Sequence, residues 1–134
     1  MSDGENKRRE EQPVVVEEYA HNCQIVREDE GEYERYHYEN PMGRVKSFDS
    51  LDRARLYADV QTVMGGFRDE KIGERGVPPA VARAREDVLA AYLVSNPTMG
   101  IEWVARSFGV DEDVVRNYCQ MVQERAEKKR NEDS

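Results

Sequence analysis

An α+β fold is predicted for this chain: an N-terminal antiparallel sheet of three or four strands with one helix, followed by a three-helix unit. Three observations predict it. Between Val14 and Phe48, β-branched and aromatic residues alternate with polar ones, the pattern of half-buried strands. From Leu51 onward the apolar spacing changes to that of amphipathic helices. Glycine, proline and asparagine punctuate both regions where turns are needed.

The strands come first. "VVVEEYA", beginning at Val14, is β-branched, "CQIVRED" alternates, and "EYERYHYE" alternates again. In the last of these, Tyr33, Arg35 and His37 share one face while Tyr36 and Tyr38 take the other. Turns are expected at His21-Asn22, at Glu30-Gly31 and along Asn40 to Gly43. The short "RVKSF" (Arg44 to Phe48) supplies the fourth strand of the larger alternative.

A helix is expected over "DSLDRARLYADVQTVM", with Leu51, Ala54, Tyr57, Val60 or Ala58, and Met64 on one face. Asp49 or Ser50 caps its exposed N–H groups, and Gly65-Gly66 ends it. "FRDEKIGERG" reads as a polar linker. Pro78-Pro79 then opens a helix from Pro79 to Ser95 that buries Val81, Ala84, Val88, Leu89, Tyr92 and Leu93, and Asn96-Pro97 stops it. Two more helices are expected, Met99 to Phe108 and Glu112 to about Lys128. The polar ends, Met1 to Gln12 and Lys128 to Ser134, read as disordered tails. The organisation is therefore a tail (1–12), a small α+β unit (13–66), a linker (67–78), a helical domain (79–128) and a second tail (129–134).

With 134 residues, the chain is one domain or two very small ones. Against 20 basic residues stand 28 acidic ones, a net charge of −8, which argues against a general polyanion binder. Arginine supplies 15 of those 20 cations. Abundant acids with few lysines resemble the cytoplasmic proteins of salt-loving archaea, whose acidic surfaces stay hydrated; the alternative is an ordinary acidic bacterial protein. That resemblance implies that net charge says less than usual about partners. The first twelve residues lack the apolar stretch of a secretory signal, and no run approaches a membrane span. Cys23 and Cys119 lie far apart and suit a reducing compartment. A cytoplasmic location without membrane association is the expectation.

The segment "IEWVARSFGVDEDVVRNYCQMV" (Ile101 to Val122) carries the functional signal. Ala105 is small enough for two helices to cross closely, Gly109 suits a left-handed turn, and Val115 is a β-branched core residue of the second helix. Ile101, Val104, Phe108, Val110 and Tyr118 fill the other apolar positions. Together these residues resemble the helix-turn-helix family over about Pro79 to Arg125, with the Pro79 to Ser95 helix completing a three-helix helix-turn-helix unit. The alternative is an unrelated helical hairpin with glycine at its corner.

The resemblance implies double-stranded DNA as partner and a transcription regulator or accessory protein as function. It places the start of the second helix in the major groove, presenting Glu112, Asp113, Arg116, Asn117 and Gln120, with Arg83, Arg106 and Ser107 as further contacts. Arg116 is suited to guanine and Asn117 to adenine. Asp111 reads as the N-cap, where a carboxylate favours the helix dipole, as do Glu112 and Asp113. Near phosphates the same acids repel. A protein-interaction adaptor on the same fold, without nucleic acid, is therefore the rival reading.

Three other signals weigh less. A sheet followed by a helix resembles, in topology alone, the small DNA-binding modules of phage-type integrases. That likeness implies contacts from Arg27, Arg35, Arg44 and Lys46. The acids crowding the strands favour a unit that dimerises, docks a protein or supports the helical domain. His21, Cys23, His37 and Cys119 match no zinc spacing, and no nucleophile, base or phosphate-loop motif stands out. Neither a cofactor nor an enzymatic activity is expected. Finally, Val114, Tyr118, Met121 or Val122, and Arg125 recur near heptad spacing. They fit either a homodimer contact or packing within the three-helix unit.

Overall fold

The structure, a computed structural model, describes residues 13–69, 77–96 and 98–133. The expected N-terminal tail, the middle of the expected linker (70–76), Pro97 and the final Ser134 lie outside the described residues.

Strands β1 (Val14–Tyr19), β2 (Cys23–Glu30), β3 (Tyr33–Asn40) and β4 (Gly43–Phe48) form an antiparallel meander in sequence order. The short "RVKSF" stretch is thus a true fourth strand. His21 and Asn22, between β1 and β2, carry φ of 63° and 61°. Tyr19 pairs with Cys23, so the connection is the three residues Ala20–Asn22, and the left-handed pair at its end reverses the chain into β2. The next turn sits on Gly31 and Glu32, one residue later than expected. After β3, the Asn40 side chain accepts from the Met42 N–H at 2.9 Å, a local bond that asparagine supplies readily.

Pairing puts Ile25 opposite Tyr38 and Tyr38 opposite Lys46, a row that faces the helices. Val26, His37 and Ser47 form the row behind it, where His37 Nδ1 and Ser47 Oγ lie 2.7 Å apart. The predicted split of β3 holds, with His37 on one face and Tyr38 on the other.

Helices α1 (Leu51–Met64), α2 (Pro79–Ala82), α3 (Glu86–Ser95), α4 (Ile101–Phe108) and α5 (Glu112–Asp133) follow. Of the two candidate caps for α1, Ser50 serves, its Oγ accepting from the Arg53 N–H at 3.2 Å. At the other end Gly65 has φ 74°, and the Gly66 N–H reaches back to the Gln61 carbonyl at 2.8 Å. This left-handed closure is the reason for glycine there.

Ile25, Tyr38 and Phe48 of the sheet, Tyr57 and Val60 of α1, Tyr92 of α3 and Val115 and Val122 of α5 belong to one hydrophobic cluster. Tyr57 sits at its centre, with ring centroids 5.4 Å from Tyr38, 5.2 Å from Phe48 and 6.1 Å from both Phe67 and Tyr92. The single apolar face expected for α1 is too narrow. Leu56, Ala58, Asp59 and Gln61 are buried as well, because the helix has the sheet on one side and α3 and α5 on others.

Three further differences have local causes. The expected helix from Pro79 to Ser95 is broken at Arg83–Arg85, and Arg85 is extended (φ −60°, ψ 155°). The restart at Glu86 places Asp87 in the first turn of α3, buried, with Arg125 at 3.3 Å and Arg85 at 3.6 Å. The start of the expected linker packs on the core: Phe67 meets Tyr57 and Tyr92 edge to face, and the Asp69 side chain is only 1% exposed. The expected C-terminal tail is helix, since α5 runs to Asp133. Ala126 is fully buried and Arg130 reaches Asp59 of α1 at 3.4 Å, so tertiary contacts hold the last turns down.

Sheet and helices are also joined by a buried polar network. The Asp69 carboxylate accepts from Tyr57 Oη at 2.8 Å and from Tyr92 Oη at 3.1 Å, and Lys46 Nζ lies 3.7 Å away. Gln61 donates to Tyr57 Oη at 2.9 Å. Burial and the Asp69 carboxylate both push the Tyr57 and Tyr92 hydroxyls upward in pKa, so they remain donors. Among the described residues no helix is long and apolar enough to cross a membrane.

Candidate functional site

The corner between α4 and α5 is built from its backbone. Gly109 adopts φ 69°, ψ 35°, its N–H bonding the Arg106 carbonyl at 3.3 Å. The following Val110 N–H bonds the Ala105 carbonyl at 3.0 Å. These paired bonds satisfy carbonyls that the end of α4 would otherwise leave open. On the inner side of the corner, Val104, Ala105 and Val115 are buried. Ile101, Phe108, Val110 and Tyr118 are half-buried and pack against the same cluster.

Helix α5 has two faces with different roles. Val115, Cys119, Val122 and Ala126 form its buried stripe. Burial pushes the Cys119 thiol up to about 11, so it stays protonated and unreactive. Tyr118 donates to Glu86 at 3.2 Å and Arg125 to Asp87 at 3.3 Å, both on α3. Much of the near-heptad seam is therefore engaged inside the chain. Val114 and Met121 are its half-buried remainder.

The opposite face presents Glu112, Asp113, Arg116, Asn117 and Gln120, all exposed and within the first three turns. Asp111 holds the N-cap position, its carbonyl accepting from Val114 and Val115 at 3.0 and 3.4 Å. The donors on this face already have partners. Arg116 Nη1 donates to Asp113 Oδ1 at 3.1 Å and Nη2 to Glu112 Oε1 at 3.3 Å. Gln120 donates to Glu124 at 3.1 Å, and Asn117 Nδ2 lies 3.7 Å from Met121 Sδ. On α4, Arg106 donates to Glu102 at 3.0 Å, and Ser107 is exposed beside it. Arg83 stands apart as the exposed C-cap of α2.

Between Ile101 and Val122 the acids Glu102, Asp111, Glu112 and Asp113 face two cations, Arg106 and Arg116. The corner is thus a geometrically ordered but nearly neutral to acidic surface. Next to it Trp103 is 42% exposed, a large aromatic that the sequence reading passed over. Its place between inward-facing Ile101 and Val104 is the signal that would have found it.

Lys46, expected among the sheet contacts to DNA, is not on the open side. Its side chain is 8% exposed and faces Asp69. Arg44 pairs with Glu28 at 3.2 Å across the strands. A regular pleat would put Arg44 and Lys46 on one face, but the register shift between the Tyr38–Lys46 and Glu39–Arg44 pairs, a bulge in β4, turns them to opposite faces. Among the described residues, His21, Cys23, His37 and Cys119 form no group that could hold a metal ion. No family model, curated protein or solved structure matches the chain.

Proposed function

We propose that α3, α4 and α5 act as a helix-turn-helix and that the chain is a DNA-binding regulator or accessory protein. One observation carries the reading. A left-handed glycine corner joins two helices whose small and β-branched residues, Ala105 and Val115, are buried, while the first turns of the second helix stay open with Arg116, Asn117 and Gln120. A helix offered in that way fits a major groove. The carboxylate pairs on Arg116 lower its pull on phosphate, so affinity depends on sites where base contacts replace them. Exposed ion pairs are worth about 0–1 kcal/mol, and a bidentate arginine–guanine contact about 1–3 kcal/mol. The exchange is favourable at the right base and unfavourable elsewhere.

The adaptor reading keeps a specific support: four carboxylates and the exposed Trp103 around the same corner suit a basic, partly apolar protein surface. Selection from random duplex DNA, followed by anisotropy titrations at two salt concentrations, separates the two. An enriched motif bound more tightly than scrambled duplex supports the DNA reading. No enrichment and no binding at either salt turns the assignment to the adaptor.

A further inference from the structure

A cavity of about 390 Å³ opens where the β1–β2 turn meets the C-terminal ends of α1 and α5. Small-molecule sites commonly occupy about 300–1,000 Å³, so it is large enough for a compact ligand. Tyr19, Tyr38, Phe67 and Cys23 supply an apolar lining, and Arg68 and Lys129 add cationic groups. His21 stands at the same wall on the strained turn.

The charge of this lining is the telling feature. The chain carries 28 carboxylates and a net charge of −8, yet among the described residues no Asp or Glu lines the cavity. On a surface this acidic, a pocket combining aromatic walls with cations selects for an anionic ligand with an apolar body. A cation would meet Arg68 and Lys129 with no lining carboxylate among the described residues to offset them, and a fully polar anion would leave the tyrosine and phenylalanine faces wet.

We propose that this cavity binds a small aromatic or aliphatic acid, with its ring or chain against Tyr19, Tyr38 and Phe67 and its acid group toward Lys129. The site does not depend on the DNA reading. Lys129 belongs to the same continuous helix as Arg116, so a ligand engaging it acts on the helix that carries the candidate surface.

The experiment uses the full chain and two matched probes, naphthalene-1-sulfonate and 1-naphthylmethylammonium, measured by calorimetry. The anion is expected to bind at one site and the cation about tenfold or more weaker, the ratio that one charge-assisted hydrogen bond supplies. Lys129→Glu is expected to remove the anion's advantage. Cys23 is a built-in reporter, half-buried in the lining while Cys119 is buried elsewhere. Saturating anion is therefore expected to slow iodoacetamide alkylation of Cys23. Equal binding of both probes, no binding of the anion, or an unchanged alkylation rate at saturation each overturns the proposal.

Discussion

Arg116 and Asp113 are joined across one turn at the start of α5, Nη1 to Oδ1 at 3.1 Å, with Glu112 taking the other guanidinium nitrogen at 3.3 Å. The arginine proposed to read a base is thus held by two carboxylates on its own helix. Both pairs are exposed, so each is weak and yields to a better acceptor. If the proposed DNA reading holds, the arrangement lowers non-specific attraction to phosphate without removing the donor.

Removing those acids is expected to raise non-specific DNA binding. In Glu112→Gln with Asp113→Asn, fewer carboxylates oppose phosphate and Arg116 is released. The gain should be larger at low salt, where screening is weaker. Anisotropy titrations on scrambled duplex at two ionic strengths measure it, and equal affinities for parent and variant at both would show that these acids do not face the nucleic acid.

Arginines on the two helices are expected to behave differently. Arg116→Ala should cost about 1–3 kcal/mol on a selected site if its contact is bidentate to guanine, and little on scrambled duplex. Arg106→Ala should weaken both DNAs alike and flatten the salt dependence, as a phosphate contact does. Equal losses for both variants on both DNAs would reduce Arg116 to a charge.

Gly109 supplies a test of the corner itself. A Cβ there meets nothing within 4 Å, so any cost of substitution is conformational rather than steric crowding. Gly109→Val forces a β-branched residue to positive φ and is expected to cost about 1–3 kcal/mol, seen as a lower melting temperature. Gly109→Asn should cost less, because asparagine tolerates the left-handed region. Equal melting temperatures for valine and asparagine would mean that the corner relaxes.

Much of this architecture is legible in the sequence, for identifiable reasons. Strand alternation placed His37 and Tyr38 on opposite faces, and Gly65 and Gly109 marked helix ends that need a left-handed residue. What was not legible depends on long-range partners. Asp69 reads as part of a polar linker until Tyr57, Tyr92 and Lys46 surround it. The final turns of α5 read as a solvated tail until Arg130 meets Asp59 and the Tyr19 ring, 5.5 Å from its guanidinium carbon. For the candidate surface, the residues were named from spacing, but the carboxylate clamp on Arg116 depends on side-chain rotamers that spacing does not specify.

The Asp59–Arg130 contact predicts the sign of a pH effect. Asp59 is 7% exposed, and its carboxyl is raised from 3.8 to about 7, chiefly by burial and also by Glu17 of β1 and Glu127 of α5. Arg130 of α5 and Arg55 of α1 act in the opposite direction and do not fully offset it. A carboxyl with a raised folded pKa binds its proton more tightly in the native state than in the unfolded chain. Its contribution is fully favourable below the unfolded value near 3.8, declines as pH rises from there, and is lost above about 7. Asp59→Asn removes this titration while keeping the shape, and Arg130, being partly exposed, retains solvent for its charge. The variant is therefore expected to be more stable than the parent at pH 8, with the difference shrinking toward pH 4. Urea titrations across that range measure it. A variant less stable than the parent at pH 8 would show instead that the ion pair with Arg130 outweighs the burial of the carboxylate.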